Sequence, residues 1–248
     1  MGGSPATGTR RRPGSHRRPG DVAADPLSAP AAVRGPGRLV ALEGIDGCGK
    51  STQAARLCQR TGALATFEPG ATGMGTAVRR LLLDPELPPL ASRAEALLLA
   101  ADRAQHVAEL VAPTLATGRW VVTDRFAAST LAYQGAGRGL VLAELRQLVE
   151  FATNGLQPDV TVLLDLPVEE AARRLARQRL VRQRPDRFEE LGLPFQQRVR
   201  QGYLELAACD HERWVVVDAA ASADVVAEAV ADAVSARLGP FPPAVADA

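Results

Sequence analysis

The sequence predicts an α/β fold, a doubly wound core with a five-stranded parallel sheet flanked by helices. Three observations predict it. Short apolar runs alternate along the chain with stretches of helical periodicity, as strands joined by crossover helices do. A Gly-rich turn, GIDGCGKS (44–51), separates the first apolar run from the first helical stretch. The 248 residues are 46% hydrophobic and 23% charged, enough to bury an ordinary core within one compact domain.

Residues 1–37, rich in Gly, Pro, Ala and Arg, carry no periodic apolar residues and read as a disordered basic arm. The folded domain is placed at 38–238. LVALEG (39–44) reads as a buried strand, and GKSTQAARLCQR begins and carries a helix. ALATF (63–67) is a short second strand, and ATGMGTAVRRLLL is a loop running into a helix. Residues 92–118 show one long helical periodicity, followed by a third strand, WVVTDR (120–125). A helix over 140–154, strands at VTVLLDL (160–166) and WVVVD (214–218), and the amphipathic ADVVAEAVADAVSARL complete the pattern. The last residues, 239–248, form a loose tail.

Composition excludes several classes of function. A formal net charge of +1 gives no global attraction to nucleic acid or to anionic membranes, so any anion site must be built locally. Three cysteines without CxxC spacing fit neither a disulfide framework nor a zinc site, and point to a reducing, cytoplasmic setting. No run approaches the roughly 18 apolar residues of a helical span, and the basic N-terminus lacks the apolar core of a secretory signal.

GIDGCGKS matches G-x-x-x-x-G-K-[ST] with a strand before it and a helix after it, the context this phosphate-binding loop requires. Its glycines let successive N–H groups face a polyphosphate, and the helix adds its positive end. Gly44, Ile45, Asp46, Gly47, Cys48, Gly49, Lys50, Ser51 and Thr52 are therefore the expected ATP-binding residues. Lys50 is the only lysine in a chain whose other basic residues are all arginine. A point charge on a flexible stem can follow a phosphoryl group between donor and acceptor, which a planar guanidinium does less well. Ser51 is the expected Mg²⁺ ligand beside the β- and γ-phosphates. Cys48 reads as a small filler. The loop alone fits kinases, GTPases, motors and transport ATPases, although no NKxD-like guanine-reading segment is present.

Several further segments make the reading more specific. LEGIDGCGKSTQ (42–53), EPG (68–70), ALLLAADRAQHV (96–107), VVTDRFAASTLAYQGAGRGL (121–140), LDLPVEEA (164–171) and DRFEELGLPFQQRVRQGYLELA (186–207) occur in the order found in bacterial thymidylate kinases. On these motifs the chain resembles that family over about residues 38–238. The resemblance implies a P-loop NTPase fold with an arginine-rich lid, ATP as donor, dTMP as acceptor, Mg²⁺ as cofactor and a homodimer, with no specific nucleic-acid partner and no membrane.

The resemblance also implies roles. Asp46 lies near the acceptor's 3′-hydroxyl and phosphate. Arg125 grips the acceptor phosphate, while Asp124 orients it or the waters of the metal. Arg103 points at thymine O4, which disfavours the amino group of cytosine. Glu68, Pro69 and Leu99 lie on the acceptor side. Ser129, Thr130, Tyr133 and Gln134 line base and sugar, with Tyr133 closing the space of a ribose 2′-hydroxyl and Gln134 bonding the base. ARRLARQRLVRQRPDR (172–187) resembles the lid, a mobile loop whose Arg177, Arg179, Arg182 and Arg184 are candidates to neutralise the transferring group. A kinase for another deoxynucleoside monophosphate or a nucleoside, and a non-catalytic nucleotide-binding regulator, are the competing readings.

Four positions depart from the family pattern. Phe67 stands where arginine is usual, which is expected to remove one cation from the acceptor side. Ala71 replaces a glycine, Leu99 an aromatic residue, and Phe126 a tyrosine or histidine.

Overall fold

The structure is a computed structural model describing residues 1–3, 37–179, 187–188 and 191–241, without the side chains of 178 and 179. Most of the basic arm, Arg182, Arg184, the side chain of Arg179 and the last seven residues lie outside the described residues.

Five parallel strands are present, β1 (Leu39–Glu43), β2 (Leu64–Phe67), β3 (Val121–Asp124), β4 (Val160–Asp165) and β5 (Trp214–Asp218), ordered β2-β3-β1-β4-β5. The register aligns Leu42 and Phe67 with Asp124, and Asp165 with Asp218, so the carboxyl ends of the strands form one edge. In an open parallel sheet that edge carries the ligand site. All five residues of β1 are buried, as expected for a strand covered on both faces. Val40 and Leu42 join one cluster with Leu57, Val199 and Val230, while Leu39 and Ala41 join another with Val107, Val111 and Leu115.

The helices are α1 (Lys50–Thr61), α2 (Gly73–Leu83), α3 (Ser92–His106), α4 (Ala112–Ala116), α5 (Ala127–Thr130), α6 (Leu142–Thr153), α7 (Val168–Arg179), α8 (Gly192–Cys209) and α9 (Ala223–Leu238). The strands and the helices α1, α2, α6 and α9 fall where the sequence places them, within a residue or two, whereas the longest helix, α8, covers residues for which no helix was expected. Two further regions differ. The periodicity over 92–118 becomes α3, a π-helical turn at Val107–Val111 and α4. Pro113 has no N–H to donate back along the helix, and the wide turn lies directly before it. Residues 127–137, which carry no clear helical period, form α5 and a second π-helical turn, Leu131–Gly137. That turn is crossed closely by α8, because a Cβ on Gly202 would stand 2.5 Å from the Cβ of Ala136. The first part of the expected lid is also not a loop, since residues 168–179 are helix α7. Among the described residues no helix is long and apolar enough to cross a membrane.

Candidate active site

The loop between β1 and α1 is shaped by its glycines. Gly44 (φ 142°) and Gly47 (φ 84°) have backbone conformations that side chains rarely adopt, and a Cβ on either would lie within 2.8 Å of a carbonyl oxygen of the chain behind it. Gly49 caps α1 without any side-chain hydrogen bond, which leaves first-turn N–H groups for an anion. Lys50 is buried within this turn and donates from Nζ to the Ile45 carbonyl at 2.9 Å. The Ile45 side chain itself belongs to the core. Burial pushes the Cys48 thiol up against the pull of Lys50 and Arg125, so it is a neutral filler. Ser51 donates from Oγ to Asp124, at the end of β3. Thr52 follows on the exposed face of α1.

Immediately after β3, Arg125 takes φ 74°, a strained conformation for a side-chain-bearing residue. Its surroundings fix it. The Arg125 N–H continues the ladder to Leu42, and the next N–H, of Phe126, donates to Glu43 Oε1 at 2.8 Å. The guanidinium is thereby turned toward the phosphate loop. Its Nη2 donates to Asp46 and to the Tyr133 hydroxyl (2.9 Å), and its Nη1 to Gly44 O, Ser129 Oγ and Tyr203 OH. The charge lies 4.8 Å from the centre of the Tyr133 ring. Tyr133 donates to Asp46 at 3.0 Å. Burial opposes ionisation of Asp46, but Arg125, Lys50 and this hydroxyl outweigh it and hold the carboxyl below the usual range. Glu43 is buried and accepts from Ser129 Oγ (2.7 Å) and Tyr203 OH (2.9 Å); burial pushes its carboxyl upward despite the pull of Arg125 and these bonds.

The other end is built around Glu68 and Arg103. Arg103, 1% exposed, donates from Nε to Glu68 (2.8 Å), from Nη1 to Thr130 Oγ1 (2.9 Å) and from Nη2 to the Phe126 carbonyl (3.0 Å). His106 bridges the second Glu68 oxygen and Thr66 Oγ1. Beside them, Asp102 accepts from the Gly70 N–H while its Oδ2 has no partner, and burial together with the charge of Glu68 pushes its carboxyl to about 6. Gln134 donates its amide to Glu95, which also takes Arg138. Its Oε1 is buried without a partner.

Asp46, Lys50, Ser51, Glu68, Arg103, Asp124, Arg125, Tyr133 and Gln134 line one cavity of about 800 Å³ together with Pro69, Leu99, Ser129 and Thr130, whereas Glu43, Glu95, Asp102, His106 and Tyr203 stand behind its wall. Among the described residues four cations line it, Lys50, Arg79, Arg103 and Arg125, with the carboxylates Asp46, Glu68 and Asp124. Arg103 and Arg125 are paired with carboxylates, whereas Lys50 and Arg79 have none among the described residues. Lys50 and Arg79, which have no carboxylate partner among those residues, are therefore open to an anion in the cavity. Arg177 does not join them; it is exposed on α7 and outside the cavity lining. Its helical neighbours Arg173 and Arg174 pair with Glu170 instead.

Sequence reasoning therefore missed Glu43, Tyr203, Arg79, Glu95 and His106. Two signals were present, an acidic residue closing an otherwise apolar strand and an arginine in the helix after EPG. The departures at 71 and 126 are also accounted for. Ala71 avoids the positive φ that would demand glycine, and the Phe126 ring is buried 5.8 Å from the Arg103 guanidinium.

The family model described as thymidylate kinase matches residues 42–230. A thymidylate kinase of Desulforudis audaxviator is 48% identical over 208 residues, which are 82% of this chain and 92% of that protein. One from Trichlorobacter lovleyi is 47% identical over 208 residues, 81% of this chain and 98% of the relative. Among solved structures, a thymidylate kinase from Ehrlichia chaffeensis superposes with a TM-score of 0.62 at 29% identity, covering 80% of this chain and 98% of the other.

Proposed function

The chain belongs to the thymidylate kinase family, and from that premise we propose how its cavity transfers the γ-phosphoryl group of ATP to dTMP, giving ADP and dTDP. The observation that carries this reading is the bond between Arg125 and Asp46, which ties a guanidinium at the end of β3 into the donor-phosphate loop. Two phosphates are to be brought together, and this pair stands where they meet.

The uncapped start of α1 and Lys50 receive the β- and γ-phosphates of ATP. A dTMP phosphate oxygen attacks the γ-phosphorus in line, and the bond to the β,γ-bridging oxygen breaks to release ADP. The acceptor is already an anion, so proton abstraction is not the central problem; catalysis is positioning and neutralisation of spread negative charge. Arg125 and Arg79 hold the acceptor phosphate. Lys50 accompanies the group in transit. Asp46, kept ionised, orients Arg125 and accepts from the 3′-hydroxyl of the sugar. Ser51 and Asp124 offer adjacent oxygen donors for Mg²⁺, and the described residues hold no cluster of three or more metal-ligating side chains that would bind an ion without the nucleotide. Ser51 and Asp124 would hold the ion, which would supply positive charge to offset that of the phosphates.

Thymine is read at the opposite end. The free Oε1 of Gln134 accepts from N3–H, the N–H groups that Arg103 retains face O4, and Leu99 supplies an aliphatic wall. Tyr133, fixed by Asp46, limits room beside the sugar. Arg177, Arg179, Arg182 and Arg184 remain the lid candidates for the bound state. Exposed Leu97 on α3 and Val141, Leu142 and Phe151 on or beside α6 give a homodimer an apolar surface. Free-nucleotide substrates and unpaired cysteines suit the cytoplasm.

ADP release from ATP and Mg²⁺ is measured against dTMP, dUMP, dCMP, dAMP, thymidine and no acceptor. Turnover led by dTMP is expected. ATP binding without acceptor-dependent ADP would overturn the reading.

A further inference from the structure

Phe67 closes β2 at the carboxyl edge of the sheet, lines the cavity and is 44% exposed, unusual for a phenylalanine in a strand. Its ring has a specific neighbour. The guanidinium carbon of Arg79 lies 5.7 Å from the ring centre, and Arg79 Nη1 donates to the Pro69 carbonyl at 2.6 Å. Gly70 completes the seat, because a Cβ there would stand 2.8 Å from the Arg79 Cδ. Ring, carbonyl and open glycine thus receive an exposed side chain that would otherwise sample many rotamers.

The charge arrangement gives this contact a purpose. A π-face attracts a cation without neutralising it, whereas a carboxylate would cancel it. Arg79 is held, yet its charge stays available to an anion in the cavity. We propose that Phe67 is a positioning residue for the acceptor, its ring seating the Arg79 guanidinium so that this cation meets the phosphate of the incoming nucleoside monophosphate. The inference rests on the phosphoryl-transfer reading above. It also reverses the expectation for position 67. The site has not lost a cation there, since Phe67 orients one supplied by α2, and an arginine at 67 would set two like charges side by side.

The test compares Phe67→Leu, which keeps an apolar side chain without the π-face, with Phe67→Tyr, which keeps the face. Steady-state constants for dTMP and ATP are measured in each, together with the inhibition constant of thymidine, which has base and sugar but no phosphate. Phe67→Leu is expected to raise KM for dTMP about fivefold, with a smaller change in kcat, ATP KM steady and thymidine binding within about twofold. Phe67→Tyr restores the wild-type KM. In an Arg79→Met background Phe67→Leu adds nothing further, because the ring acts only through that guanidinium. The inference is overturned if Phe67→Leu leaves KM for dTMP unchanged, if thymidine weakens in step with dTMP, or if the two substitutions add in full. Its failure is separable from that of the kinase reading, which would appear as absent dTMP-dependent turnover in the unsubstituted protein.

Discussion

Arg103 and Glu68 form an ion pair of 2.8 Å with both side chains at most 3% exposed. The pair joins α3 to the segment after β2 and is held on both sides: His106 takes the other Glu68 oxygen, and Thr130 and the Phe126 carbonyl take the other arginine nitrogens. Replacing Glu68 with Ala strands a buried guanidinium. Thermal or denaturant unfolding should show a loss of about 3–5 kcal/mol. A loss under 1 kcal/mol would mean that water reaches Arg103.

Lys50 is buried in the phosphate loop, where its Nζ donates to the Ile45 carbonyl. Lys50→Arg should retain helix content and fold but lower kcat at least about a thousandfold, because a planar fork cannot both fit beneath the loop and follow the transferring group. Circular dichroism with ADP release separates the two effects. Near-normal kcat would show that charge alone is required there.

Asp102 gives the protein an acid-side signature. Its carboxyl is raised to about 6 in the fold from an ordinary value of 3.8, by burial first and the charge of Glu68 second. The folded state therefore binds the proton more tightly than the unfolded chain, and stability from this group falls as pH rises from about 4 through about 6. Each pKa unit corresponds to about 1.4 kcal/mol, discounted for the residual solvent around the group. Asp102→Asn removes this dependence. Melting temperatures of the two proteins between pH 4 and pH 7 should converge toward the acid end, and parallel curves would refute the assignment.

Gln134 lines the cavity, and its Oε1 is buried without a hydrogen-bond partner. Thymine offers a donor at N3 and cytosine an acceptor, so Gln134→Leu should lower kcat/KM for dTMP roughly 10- to 100-fold while changing dCMP far less. Equal losses for both acceptors would show a packing role only.

What the sequence revealed follows from how local each signal is. Buried parallel strands are continuous apolar runs, and the phosphate loop is eight contiguous residues whose spacing is set by backbone geometry, so β1, α1 and Lys50 were legible at once. The turn 127–137 was not, because its course depends on close packing against α8 at Gly202 and on hydrogen bonds from Phe126 and Ser129 to Glu43. Glu43 was hidden for a related reason. It ends an apolar run, and only the fold shows that a carboxylate there organises Ser129 and Tyr203 around Arg125. Position 67 was visible as a departure, but the cation beside its ring was not, since Arg79 lies twelve residues later on another element.

The proposed reaction is direct transfer between two nucleotides meeting at Arg125 and Asp46. A single turnover with ATP labelled in the γ-phosphate, Mg²⁺ and excess dTMP, quenched and resolved by chromatography, tests it most directly. Label recovered in dTDP, with little in inorganic phosphate and the signal lost in Arg125→Met, is the predicted result. Label released as inorganic phosphate at a rate indifferent to dTMP would contradict it.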